Sequence, residues 1–315
     1  MNYILPGFCF LIATALAAQK SNPVQQINID SAAIAKIKLE GYPDFLAADG
    51  DDAWVLNNNK VEKISVKSST PLLSVNVPGA CGAMIVGFGS LWVASCKDQS
   101  VYRINKENGT IENIIKCGVA DLQGEISIAA GDSALWILSD ANGVLTRISA
   151  TTNRVEASIP VLPNSYCAAY GFNAVWVTNT KNNSVQRINP KTNKVTATIN
   201  VGHYPRFLAC GEKGIWTLNQ KDGTVSHINP GTNKLTATID AQVPGTGGDI
   251  AAGDGYVWVR SANKWLLQTI HPVTNKIITV YTPVAGSGAV RTSKNYIWIT
   301  AHDINTIWIL RRNKQ

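Results

Sequence analysis

Tryptophan recurs along this chain at Trp54, Trp92, Trp136, Trp176, Trp216, Trp258 and Trp298, at intervals of 38, 44, 40, 40, 42 and 40 residues. Each lies in a short apolar run such as AWVLN, LWVAS or VWVTN. A period near 40 residues built from strand-like units is the mark of a β-propeller. One such unit is a small sheet that cannot bury both of its faces alone. Seven units closed into a ring cover one another and leave few exposed edges.

The clearest repeat runs from Tyr204 to Ile239 and divides into four strands: Phe207 to Cys210, Ile215 to Asn219, Val225 to Ile228 and Leu235 to Ile239. We label these A to D, from the channel outwards. Turn residues separate them, the last turn being Asn-Pro-Gly-Thr-Asn. Ring closure is also legible. Tyr42-Pro-Asp-Phe aligns with Tyr204-Pro-Arg-Phe, so the preceding segment, Ala33 to Leu39, falls at the strand D position, while the last repeat ends after its strand C, Thr306 to Leu310. The expected fold is all-β: a seven-bladed β-propeller of four-stranded antiparallel blades over residues 33–315, its ring closed by the N-terminal strand. Residues 19–32 form an extension. Residues 1–18 lack charge and end in small residues, which reads as a secretory signal peptide, with a retained membrane anchor as the alternative.

The formal charge of +7 belongs wholly to the chain after that segment. Its lysines fall in turns such as Pro190 to Lys194, without interleaved aromatics, which argues against a nucleic-acid groove. A weak attraction to anionic glycans or envelope surfaces is the natural consequence. The reading places the mature chain outside the cytoplasm, periplasmic or secreted, with no transmembrane segment.

Val175-Trp-Val-Thr-Asn179, followed by Ser184-Val-Gln-Arg-Ile-Asn-Pro-Lys-Thr-Asn-Lys-Val-Thr-Ala-Thr-Ile, resembles the YVTN-type repeats of bacterial extracytoplasmic propellers. From Ala33 to Arg311 the chain is similar to the virginiamycin B lyase-like superfamily. That resemblance implies the propeller fold and either a binding or a lyase activity. The lyase pattern implies a late-blade Glu and two His around a divalent metal, with a Glu-x-x-His spacing. The chain contains no Glu-x-x-His, so no catalytic residue carries over.

Candidate site residues are those that break the repeat. Counting each repeat Trp as zero, facing positions on strands A and B should sum to −7. At −9 opposite +2 the sibling blades are mainly apolar, as in Phe207 with Leu218, but the sixth has Asp249 opposite Arg260. Buried charges there serve either as a self-satisfied pair or as a ligand site. Position −7 is Ala in five blades and Ile85 in another, but Arg291 in the seventh, where a cation-π contact with the facing Trp298 is a ligand-free explanation. His302 and Asp303 lie in the adjacent turn. His203, Tyr204, Arg206, Asp44, Tyr42 and Tyr166 mark the top-face rim, whereas His227 and His271 read as structural.

Among the cysteines, Cys81 and Cys96 should face one another and form a disulfide, with Cys117 as the competing partner. Cys167 and Cys210 read as buried thiols. The expected function is a cofactor-free, non-catalytic propeller that binds a small molecule, glycan, peptide or envelope protein at its top mouth. The alternative is a divalent-metal lyase or lactonase-type hydrolase acting in the channel.

Overall fold

The computed structural model describes residues 23–120 and 128–312; the expected signal peptide lies outside the described residues. Seven sheets form the propeller. In blade five the strands are Pro205–Gly211, Gly214–Asn219, Thr224–Asn229 and Lys234–Asp240. The repeat Trp pairs with position −7 in every blade, from Ala47 with Trp54 to Arg291 with Trp298.

The repeat tryptophans are buried, and the indole N–H of every one but Trp54 is satisfied. Trp92, Trp136, Trp176, Trp216 and Trp258 donate Nε1 to the glycine carbonyl five residues earlier, at 2.9 to 3.1 Å. Over the ring lies the facing residue of strand C: Lys63 on Trp54, Arg103 on Trp92, Arg147 on Trp136 and Arg187 on Trp176. Arg103, Arg147 and Arg187 then reach the C–D turn of the next blade, where they bond Asn153, Asn193 and Asn233. One side chain thus joins ring stacking within a blade to a hydrogen bond between blades.

In blade five His227 takes this place, stacked on Trp216 at 3.7 Å and bonded to Asn275 at 3.0 Å. Burial pushes its imidazole below the ordinary value of 6.5, against the pull of the Asn275 bond. The unfolded chain therefore takes the proton first. The latch contributes fully above that value and is lost as pH falls below it. His227→Arg, which copies the sibling blades, should melt with a smaller loss between about pH 7 and about pH 5 than the natural chain. An identical pH dependence in the two proteins would exclude a titrating latch.

Ring closure is as expected. Ala35–Lys38 pairs antiparallel with Thr306–Arg311, matching Ala35 with Ile309 and Ile37 with Ile307. Bonds from Ile34 N–H to Ile309 and from Leu39 N–H to Asn305 extend the contact at both ends. The extension before it is not merely a leader to the ring. Gln25–Asn28 adds a fifth, parallel strand to the outer edge of blade six, beside Lys276–Thr282. A single helical turn, Ile29–Ala32, carries the chain across to blade seven, with Ile29 fully buried. Asp30 fixes the crossing by bonding Lys36 at 2.9 Å and Trp308 Nε1 at 2.7 Å.

Cys81 and Cys96 form a disulfide with Cα atoms 5.7 Å apart. The ladder around it does not keep the −7 sum, because a bulge lets Ala80 pair with Ser95. Cys117, Cys167 and Cys210 stand outside the disulfide, and burial pushes the Cys117 thiol up to about 11. Cys81→Ser should lower unfolding stability by roughly 3 kcal/mol, the value for a loop of about this length. Denaturant midpoints with and without reductant test this, since an oxidised natural chain no more stable than the variant would show that the bridge contributes nothing.

Candidate functional site

Strands A of the blades wall a central cavity of about 300 Å³. Its lining is small and apolar at the level of Ala47, Ile85, Ala129, Ala169, Ala209 and Ala251, and Arg291 completes that level. Among the described lining residues two are charged, Asp249 and Arg291, and they pair with each other. Arg291 Nη1 donates to Asp249 Oδ2 and to the Val290 carbonyl. Asp249 also accepts from the N–H of Ile250 at 2.8 Å and of Val290 at 3.1 Å. Burial pushes its carboxyl above the usual carboxylate range, while Arg291 and the two N–H groups pull the other way. Asp249 is buried, whereas a third of the Arg291 side chain is exposed, at 32%.

This corrects both expected pairings. Asp249 does face Arg260 in the ladder, yet its carboxylate turns to blade seven, where inner strands of adjacent blades run side by side. Arg291 does not stack on Trp298, because that carboxylate holds its guanidinium. Arg260 is fully buried and bonds backbone carbonyls: Thr300 at 3.1 Å, Leu266 at 3.3 Å, and Ser261 and Gly286 at closer range. Burial pushes it down to about 10, opposed by the carboxylates of Asp303, Asp44 and Asp249. It organises the mouth and has no surface to offer a ligand.

Two glycine-rich D–A loops meet beside Arg260, Pro-Gly-Thr-Gly-Gly ending at Gly248 and Gly-Ser-Gly ending at Gly288, and its guanidinium bonds the second through Gly286. Their approach requires missing side chains. A Cβ on Gly248, whose φ is +115°, would lie 2.4 Å from the Arg260 carbonyl oxygen, and one on Gly288 would lie 2.1 Å from that of Thr300. Gly248 N–H bonds Ser287 Oγ at 3.2 Å, and Gly286 N–H bonds Asp303 at 2.8 Å. The glycine clusters were the available sequence signal for these loops, and counting from the tryptophans passes over them because they lie between blades.

The remaining rim residues form separate groups. His302 packs on Tyr42 with ring centroids 4.0 Å apart, the Tyr hydroxyl lying 3.2 Å from Nε2. His203 is held by Asp222, through its backbone N–H at 2.7 Å and Nδ1 at 2.8 Å. Tyr204 is exposed and in the left-handed region, with φ 60°. Arg206 lies over Tyr166 at 4.4 Å and donates to its hydroxyl. Asp44 is half-buried, its carbonyl accepting from Thr300 Oγ1 at 2.6 Å. Among the described residues no three His, Cys, Asp or Glu side chains gather. The donor set therefore does not fit the divalent metal that the lyase pattern implies.

Among solved structures, a streptogramin B lyase superposes with TM-score 0.73 at 17% identity, covering 89% of this chain and 97% of that one. Virginiamycin B lyase from Staphylococcus aureus gives 0.72 at 15%, covering 88% and 98%. BamB from Moraxella catarrhalis gives 0.63 at 10%, covering 89% and 99%. At such identities the likeness is one of fold: the chain is a seven-bladed propeller similar in structure to these three. No curated protein matches it. The family model described as a domain of unknown function, DUF5074, matches residues 121–310, more than half of the chain, and the protein belongs to that family.

Proposed function

We propose that this propeller is a non-catalytic binding protein which takes the polar or anionic head of a ligand into its central channel. One observation carries the reading: in a wall that is apolar apart from Asp249 and Thr292, Arg291 is part-exposed to the cavity and tied to the protein through Nη1 alone. No described residue bonds its Nε or Nη2. A planar guanidinium anchored on one side and open on the other is suited to a carboxylate or phosphate. The small apolar residues around it suit an uncharged body, and a few placed polar groups in an apolar cavity are the usual form of a ligand site.

An extracytoplasmic location belongs to the same proposal. The Cys81–Cys96 bridge supports it, since disulfides persist in oxidising compartments. A thermal-shift screen of carboxylates, phosphates, glycans and short peptides, run with and without chelator, tests the function. The expected result is stabilisation by an anionic compound that survives chelation and weakens in Arg291→Lys, because an ammonium lacks the fork. Stabilisation only by a divalent cation, abolished by chelator, would instead favour the metal-dependent lyase or hydrolase. No response to any anionic compound would sink the binding reading.

A further inference from the structure

In an antiparallel blade the A–B and C–D turns emerge at one end, so all of them crown the face opposite the mouth. Three of their tips are apolar and open to solvent. Phe88 and Phe172 occupy the A–B tips of blades two and four, 42% and 41% exposed, and Val273 occupies the C–D tip of blade six, 70% exposed. Other blades carry Gly50, Asp132, Glu212, Asp254 or Lys294 at the A–B tip. Both phenylalanines have φ near +50°, at 51° and 52°, a conformation that disfavours bulky side chains. Neither burial nor turn geometry therefore explains an aromatic residue there.

On blades three to six the exposed charges at these turns are mainly basic, whereas Glu107, 71% exposed, lies on the C–D turn of the Phe88 blade. Arg154, Lys191, Lys194, Lys213, Lys234 and Lys276 lie exposed on the same turns of blades three to six, and no described side chain pairs with them. The acids of that sector are paired within the protein, Asp132 lying 4.0 Å from Arg147. Glu156 pairs with Arg147 at 3.0 Å, Asp254 with Arg312 at 3.0 Å, and Glu212 accepts from Gly255 N–H at 3.1 Å.

We propose that this face docks the propeller on an anionic lipid surface, with the apolar tips among the headgroups and the lysines against their phosphates. Apolar tips within a basic field match an interface that is apolar below and anionic above. An acidic protein would match the charge but would not require three separated apolar tips. The docking does not depend on the Arg291 reading.

Vesicle co-sedimentation tests it. The protein should pellet with phosphatidylglycerol-containing vesicles, stay in solution with pure phosphatidylcholine, and be released as salt rises. Each of Lys191→Gln, Lys194→Gln and Lys234→Gln should weaken partitioning roughly fivefold. Phe88→Asn with Phe172→Asn should also weaken it while leaving the melting temperature unchanged or higher, because Asn accepts the left-handed turn. Equal binding to neutral vesicles, no binding at low salt, or full binding by the Phe double variant would overturn the proposal. Binding to soluble polyglutamate without vesicle binding would assign the face to an acidic protein and overturn it equally.

Discussion

Arg260→Leu is expected to destabilise the fold by about 3–5 kcal/mol, and Asp249→Ala is expected not to rescue it. The guanidinium is fully buried and bonds the carbonyls of Ser261, Leu266, Gly286 and Thr300. A leucine removes the donor these acceptors share, although the Leu266 carbonyl keeps the Ser261 N–H, and frees the loop at Gly286, and unsatisfied buried acceptors cost more than the bonds contribute. Had Asp249 been its partner, removing both charges would have been nearly neutral. Asp249 is held by Arg291 instead, so its removal adds a second defect. Denaturant unfolding of the two single variants and the double decides between these, and a double variant as stable as the natural chain would restore the Asp249–Arg260 pair.

A chain beginning at Gly41 should not hold a closed ring. It would lose Ile29, Ile37 and Leu39, at 0%, 5% and 6% exposure, and uncover Trp308 and Leu310 on blade seven. Each fully buried side chain of this size contributes roughly 1.5–3 kcal/mol, and the total approaches the whole stability of an ordinary domain. Two edges open at once, because Gln25–Asn28 covers blade six and Ala35–Lys38 completes blade seven. The expected outcome is a large fall in melting temperature or an insoluble product. A melting curve matching that of the full chain would show that the N-terminal strap is dispensable.

What was legible in the sequence is what repeats. The Trp period marks the blades, and Ala33 to Leu39 falls on the missing strand because every other repeat supplies its own. The cross-strand sum holds where strands A and B pair regularly, and it places Asp249 opposite Arg260. It fails near the mouth, where strand A bulges in blades one, two, four and five. The Cys81–Cys96 bridge forms across such a bulge, so the pairing was right although its register was not. Contacts between blades were not legible, because intra-blade counting cannot say which neighbour a buried charge turns to. For that reason the facing residues, Arg260 for Asp249 and Trp298 for Arg291, are the only partners that such counting offers. The ring stacking that does occur comes from strand C, as Arg187 over Trp176 shows. The parallel strand Gln25–Asn28 has no counterpart in other blades, so periodicity carried no trace of it.

The most direct test of the channel site is a binding isotherm for the anionic compound found by the thermal-shift screen, measured on the Asp249→Ala, Arg291→Ala double variant. Five sibling blades carry Ala where Arg291 stands, and neither charge is left unpaired, so stability should stay within about 1 kcal/mol of the natural chain. Binding should be lost. A folded double variant with unaltered affinity would reduce Asp249 and Arg291 to blade packing and place the ligand elsewhere.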